Sequence, residues 1–252
     1  MGLSMATAAL WVERWERQQQ RYAVDREERF TVIADIVEHV TAEQPKPLIV
    51  DLGCGPGSLA VRLAERLPHA DIVAVDRDPL LLELGRTHHA AAARFVEATI
   101  GADGWLQALE LDQPPDAVVS TTALHCLPPE VLGRAYEQLA ALVRPGGVLV
   151  NSDQFGPGGD PASRIAAEVG RRRAERQRLR EREDWTSWWA AVADEPELAQ
   201  LLTDQPRPSC AHHNRDNGLD VSHHVELLRR VGFRHVCPVW QFGTGCVLVA
   251  VR

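Results

Sequence analysis

Leu48-Ile49-Val50-Asp51-Leu52-Gly53-Cys54-Gly55-Pro56-Gly57-Ser58 is the stretch that decides how this chain folds. Its apolar run reads as a buried parallel strand, closed by an acid. Three glycines at alternate positions follow, and Leu59, Leu63 and Leu67 then recur on one helical face. A strand that turns sharply into a helix through glycines lets a ligand lie against bare backbone. The same turn brings that ligand to a helix N-terminus, where unpaired N–H groups favour negative charge. The segment predicts an α/β fold with a ligand cradle.

The order acid-x-Gly-x-Gly-x-Gly differs from the dinucleotide fingerprint, whose third glycine comes one residue later and which needs no acid at the strand end. An acid ahead of the glycines repels a pyrophosphate and suits a ligand bearing an ammonium group. The segment resembles motif I of class I S-adenosylmethionine-dependent methyltransferases. That resemblance implies that Asp51, Gly53, Gly55 and Gly57 lie by the methionine part of S-adenosylmethionine.

The following segments keep the family's order. Asp71-Ile72-Val73-Ala74-Val75-Asp76 is a second strand ending in an acid, placed about 20 residues past the glycines and suited to accept from ribose hydroxyls. The resemblance gives Asp76 the ribose and sets Arg77 beside the adenine. Arg94 to Ile100 reads as a third strand. Its Thr99 stands where the family commonly carries an acid for the adenine amino group, next to Ile100, with Asp103 or Trp105 as substitutes. Asp116 to His125 resembles motif IV, which places Ser120 and Thr121 at the methionine end, facing the substrate. Leu142-Val143-Arg144-Pro145-Gly146-Gly147 is a helix stop before a fifth strand, Val148-Leu149-Val150.

The resemblance covers roughly residues 45 to 155 and implies a Rossmann-like fold. That fold has a seven-stranded, mostly parallel sheet with a terminal antiparallel hairpin, for which Phe233 to Phe242 and Cys246 to Val251 are the candidates. Residues 1–45 are expected to form a helical extension over the pocket. Residues 46–252 are expected to form the methyltransferase domain, with a helical lid at about 156–205. In the extension, Asp25 is the expected cap of a second helix, with Glu28 reaching back. Tyr22 either closes the cofactor pocket or packs the extension onto the core. Trp185, Trp188 and Trp189 share one helix face, either as an aromatic wall for substrate or as the anchor of the lid.

Bulk composition bounds the function. The chain has 252 residues, 45% hydrophobic and 25% charged, enough for one α/β domain with an insertion. A formal charge of −8 argues against a broad nucleic-acid footprint. The arginine-rich run from Arg171 to Glu183 is broken by acids at helical spacing and reads as a solvated, ion-paired helix. No apolar run is long enough for a membrane span. Five scattered cysteines without a Cys-x-x-Cys pair fit a reducing cytoplasm. A homodimer is compatible with these features.

Methyl transfer asks a protein to align the acceptor and, for some acceptors, to remove its proton. His125, following motif IV, is the first candidate base or acceptor clamp. His213 with Asp216 is the second, since a carboxylate can fix the tautomer of an imidazole. His212, His213, Asp216, His223 and His224 could be drawn as a metal cluster, but adjacent histidines diverge and the helical zinc spacing is absent, so no metal is assigned. These features predict transfer from S-adenosylmethionine, leaving S-adenosylhomocysteine, to a small-molecule oxygen, nitrogen or carbon acceptor, in specialised metabolism. The alternatives are an RNA or protein methyltransferase using the arginine-rich helix, or a non-catalytic protein that binds the cofactor. A nicotinamide oxidoreductase is disfavoured by the glycine pattern and by the lack of a Tyr-x-x-x-Lys pair.

Overall fold

The computed structural model describes residues 2–156, 158–202 and 217–252. Two helices, α1 (Met5–Gln19) and α2 (Arg26–Thr41), precede the sheet. Strands and helices then alternate through β1 (Leu48–Leu52), α3 (Ser58–Arg66), β2 (Asp71–Asp76), α4 (Pro79–His88) and β3 (Arg94–Glu97). The alternation continues with β4 (Ala117–Thr121), α5 (Pro129–Leu142) and β5 (Val148–Gln154). An insertion carries α6 (Pro161–Arg176), α7 (Trp185–Asp194) and the short α8 (Pro196–Ala199). The chain closes with α9 (Val221–Arg230), β6 (His235–Phe242) and β7 (Gly245–Val251).

The sheet order is β3-β2-β1-β4-β5-β7-β6. Strands β1 to β5 pair in parallel, and β7 runs antiparallel to both β5 and β6. This is the mostly parallel, seven-stranded sheet with a terminal antiparallel hairpin that the sequence predicts. Because β1 pairs with β2 on one side and β4 on the other, the order reverses beside it. Ligands of open α/β sheets bind at such a switch point, outside the carboxyl ends of the strands.

Alternation along the strands divides the core into two layers. Val50, Leu52, Val73, Val118 and Leu149 pack with α5 and α9 through Leu132, Tyr136, Leu139 and Leu228. Ile49, Ile72, Val119 and Val150 pack with α2 and α3 through Phe30, Ile33, Val37, Leu59 and Leu63. The predicted helix stop holds: α5 ends at Leu142, and Gly146 adopts φ 75°. A side chain on Gly147 would press a Cβ to 2.8 Å from the Asp116 carbonyl.

A third cluster lies outside the sheet. Trp11 and Trp15 of α1 meet Leu80, Leu81 and Leu84 of α4 and Trp188 of the insertion. Trp188 is fully buried, edge-on to Trp11 at 5.5 Å, Trp15 at 5.1 Å and Trp189 at 4.8 Å between ring centres. Trp188 thus anchors the lid, whereas Trp185 also lines the cavity described below.

Two local expectations are corrected. Asp25 does not cap α2: its backbone is left-handed (φ 55°) and its side chain makes no cap bond. The carboxylate instead accepts from Arg173 Nη2 at 2.7 Å and Gln177 Nε2 at 3.1 Å, so the lid has taken the group that would have capped the helix. The third strand stops at Glu97, leaving Thr99 and Ile100 in the loop beyond it.

Removing the Trp188 ring empties the contact between α1, α4 and the lid. Trp188→Ala is expected to lower stability by about 3 to 5 kcal/mol, read as a urea unfolding midpoint. An unchanged midpoint would contradict the anchoring role.

Candidate active site

The site begins where β1 turns into α3. Gly53 N and Cys54 N both donate to Val75 O, at 2.8 and 2.9 Å, which straps the loop to β2. Gly55 N donates to Asp76 Oδ2 at 2.8 Å, and Asp78 N donates to Asp76 Oδ1 at 2.9 Å. Gly53, Gly55 and Gly57 have φ of 70°, 55° and 94°, the left-handed region that only glycine enters freely. At Gly53 the requirement is also steric, since an added Cβ would lie 2.3 Å from Ala123 Cβ. At Gly55 the Trp15 indole closes over the backbone, 3.3 Å from where a Cβ would sit.

Above this loop opens a cavity of about 1070 Å³. Of the residues expected at a cofactor, Tyr22, Gly53, Gly55, Asp76, Arg77, Thr99, Ile100 and Thr121 line it, and so does His125. Asp51, Gly57 and Ser120 do not. Ser120 is buried and donates to Leu52 O at 2.9 Å, joining β4 to β1. Gly57 packs against Phe95, whose ring would be 2.8 Å from an added Cβ. Asp103 and Trp105 lie away from the cavity, and the Trp105 indole donates to Gln138 Oε1 at 2.7 Å in the core. Tyr22 both lines the cavity and ties its roof: its hydroxyl accepts from Trp185 N at 2.9 Å, and its carbonyl accepts from Gln154 Nε2 at 2.7 Å.

Asp51 lies in β1, fully buried, and neither carboxylate oxygen meets a hydrogen-bond donor in good geometry. Burial, reinforced by the nearby Asp76 charge, pushes its carboxyl up to about 7. Burial also raises Asp76, against the pull of its backbone N–H donors. Two acids crowded beneath a glycine loop favour a positively charged ligand and oppose a pyrophosphate.

His125 sits on the single turn Leu124–Cys126 after β4. Its Nδ1 is 2.8 Å from Asp153 Oδ1, and its backbone N donates to Asp153 Oδ2 at 3.2 Å. Asp153 lies near the end of β5, 1% exposed. Burial alone would push its carboxyl up, but His125 and then Arg29 hold it below the usual carboxylate range. An ionised Asp153 accepting from Nδ1–H makes Nε2 the basic nitrogen of the ring.

Comparison with known proteins bears on the family and the fold. A methyltransferase domain family model matches residues 49–147. This stretch is a class I methyltransferase domain. Among curated relatives, a trans-aconitate 2-methyltransferase of Methylobacterium radiotolerans is 32% identical over 128 residues, covering 51% of this chain and 45% of that protein. An uncharacterized methyltransferase of Mycobacterium bovis is 41% identical over 103 residues, covering 40% of this chain and 47% of that protein. The chain thus spans about half the length of the curated relatives it matches. Among solved structures, the CurJ carbon methyltransferase superposes with a TM-score of 0.61 at 14% identity, over 94% of this chain and 57% of that one. Human N-acetylserotonin methyltransferase in complex with S-adenosylmethionine gives 0.53 at 18% identity, over 97% and 58%. These two likenesses concern the fold.

The match to a methyltransferase domain bears on the two acids, of which Asp76 lines the cavity and Asp51 lies behind it. S-adenosylmethionine brings a sulfonium and an ammonium group, and the pressure on Asp51 and Asp76 to shed their charge fits that donor. His213 and Asp216 lie outside the described residues, as does His212. Of the remaining histidines in the drawn metal cluster, His223 Nδ1 is 2.9 Å from Asp220 Oδ1 at the surface, while His224 is buried, 2.8 Å from the Tyr136 hydroxyl. They face different surroundings, and among the described residues no group of three or more metal-ligating side chains converges.

Asp153 was not foreseen, although its pattern was present: an apolar strand ended by an acid, as in β1 and β2. The polar sequence Asn151-Ser152-Asp153-Gln154 concealed that β5 continues, paired with β7 as far as Gln154↔Gly245.

The Asp51 carboxyl yields a pH test. Its folded value lies above the unfolded one, so its contribution to stability is fully present below about pH 4 and is lost as pH rises through about 7. Without ligand, Asp51→Asn is expected to gain on the parent by roughly 2 to 4 kcal/mol between pH 5 and pH 8, measured by urea unfolding at both values. A pH-independent difference would contradict the buried, near-neutral titration.

Proposed function

We propose that this chain transfers the methyl group of S-adenosylmethionine to a small-molecule acceptor and releases S-adenosylhomocysteine. The observation that carries the reading is the placement of the His125–Asp153 pair in the same cavity as the Gly53–Gly55 loop and Asp76. When bound, the cofactor supplies an electrophilic methyl group on a sulfonium leaving group.

The residues around the cavity divide the remaining work. Gly53 and Gly55 offer bare backbone to the methionine part, Gly57 keeps the loop's turn, and Asp51 beneath them supplies negative charge. Asp76 accepts from the ribose hydroxyls, with Arg77, Thr99 and Ile100 about the adenine. Thr121 faces the methionine end, and Ser120 holds the strand that carries it. His125 clamps the acceptor and takes its proton at Nε2, while Asp153 fixes the ring. Tyr22 and Trp185 close the roof and exclude water, which strengthens electrostatic interactions inside.

In this reading residues 1–45 are a cap and residues 46–252 the methyltransferase domain, with a lid at about 156–205. The acceptor is an oxygen, nitrogen or carbon centre of specialised metabolism, met in the cytoplasm by a monomer or homodimer. The arginine-rich helix belongs to the lid: Arg171 and Arg172 pair with Glu168, and Arg173 pairs with Asp25, which favours ion pairing within the fold over nucleic-acid contact. Among the described residues no helix is long and apolar enough to cross a membrane.

Radiolabelled methyl transfer to a panel of small acceptors, with bulk RNA as a comparison, tests the reading. With an active acceptor, His125→Ala is expected to lower turnover about 100-fold, and S-adenosylhomocysteine affinity should stay within about twofold. A matching loss of cofactor affinity would contradict the role given to His125. Gly53→Ala is expected to weaken cofactor binding at least about tenfold by calorimetry, because the left-handed backbone and the Ala123 contact leave no room for a Cβ. Undiminished binding would remove that loop from the site.

A further inference from the structure

The insertion is held unevenly. Its second part is fixed: Leu179 and Trp188 are buried, Arg14 pairs with Glu183, and Trp185 N donates to the Tyr22 hydroxyl. Helix α6, which precedes that part, has no buried residue along its 16 positions. Two hollows border it. Ala167, Gly170 and Ala174 line the cavity described above, whereas Asp160, Ser163 and Ala166 line a second one of about 1100 Å³ beside α9. Between these residues α6 crosses the turn of the β6–β7 hairpin backbone on backbone. A Cβ on Gly243 would lie 2.7 Å from Gly170 Cα.

Charge ties α6 to the rest of the molecule near its C-terminal end. Among the described residues, Arg171 with Glu168 and Glu175, and Arg172 with Glu168, pair inside the helix, which stabilises it without fixing its place. Among the same residues, the pair that leaves α6 is Arg173 with Asp25. Arg173 Nη2 donates to Asp25 Oδ1 at 2.7 Å, and Nε lies 2.7 Å from Oδ2. The same guanidinium lies over the Phe242 ring, 4.6 Å from its centre, and Gln177 Nε2 donates to Asp25 Oδ1 at 3.1 Å. Asp25 gives up a helix cap and keeps a left-handed backbone in this arrangement. Both concessions cost stability, and such positions persist where the surrounding structure uses them. Gly158 and Gly159 lead into α6, and Arg178, left-handed at φ 52°, leads out of it.

We propose that α6 is a flap over the acceptor end of the cavity, which opens while α7 stays in place, and that Asp25 is its latch. Which end receives the acceptor rests on the function proposed above. The crossing itself fixes where the flap stands. Thr244, next to Gly243, accepts through its carbonyl from Phe155 N at 3.0 Å, two residues past Asp153. The flap thus stands by the end of β5 that carries Asp153, whereas the Trp15 indole of α1 closes over Gly55 of the cofactor loop. Opening α6 admits an acceptor and leaves the cover of the cofactor loop in place.

Hydrogen–deuterium exchange on the ligand-free full chain tests this, comparing peptides from α6 with peptides from α7. Asp25→Asn removes the latch charge with a residue that also tolerates the left-handed backbone. It is expected to speed exchange in α6 at least about threefold and to leave α7 within about 1.5-fold of the parent. Arg173→Met should speed α6 at least as much, and the double variant should add nothing to it. Unchanged α6 exchange in Asp25→Asn overturns the latch, and equal acceleration of α6 and α7 overturns the separate flap. Should Asp25→Asn lack a cooperative unfolding transition, Arg173→Met decides by the same two outcomes. S-adenosylhomocysteine should leave Asp25→Asn at a rate within about twofold of the parent in stopped-flow displacement. Release that speeds up in step with α6 exchange overturns the assignment of the flap to the acceptor. If the parent binds no S-adenosylhomocysteine, the proposed function and the acceptor assignment fail together, and the exchange pattern alone decides the flap and its latch.

Discussion

Everything in this molecule that bears on chemistry depends on how the turn after β1 is strapped to β2. Val75 O receives two backbone N–H groups from the turn, and Asp76 receives a third. Those bonds fix a turn in which the alternate glycines 53, 55 and 57 are left-handed, so the loop presents backbone where side chains would otherwise stand. Asp76 serves two ends at once, because the carboxylate that pins Gly55 also faces the cavity. A loop fixed in this way needs little reordering when a ligand arrives, which is the physical meaning of preorganisation.

The cavity floor comes from the sheet, but its roof comes from segments far apart in the chain. Ser4 N donates to Glu197, Arg14 pairs with Glu183, Arg21 donates to the carbonyls of Arg180 and Arg182, and Tyr22 binds Trp185 N. Exposed pairs of this kind are individually weak. The tryptophan cluster beneath them supplies the apolar burial that makes the union stable. The N-terminal helices and the insertion therefore roof the cavity together.

The parts legible in the sequence are those set by local chemistry. The buried run of β1, the glycine turn, the acid ending β2 and the Pro-Gly-Gly stop after α5 each have a cause within a few residues. Where long-range partners decide, local reading failed. Asp25 looked like a helix cap until Arg173, distant in sequence, took its carboxylate. The apolar run of the fifth strand marks only Val148 to Val150, and the pairing that carries it on to Asp153 comes from β7, at the other end of the chain. Asp51 was legible as a strand-closing acid but not in its direction. Period-two alternation sets it on the Ile49 face beneath α3, away from the open cavity. Two of the residues proposed for acid–base work, His213 and Asp216, lie outside the described residues, whereas His125 is placed beside Asp153.

The central claim is that a sulfonium donor, and not a dinucleotide, is the ligand of the loop between β1 and α3. Isothermal titration of the purified chain with S-adenosylhomocysteine, and separately with a nicotinamide dinucleotide, tests it most directly. Saturable one-to-one uptake of S-adenosylhomocysteine with no heat from the dinucleotide is the expected result. Saturable uptake of the dinucleotide, with none of S-adenosylhomocysteine or S-adenosylmethionine, would contradict it.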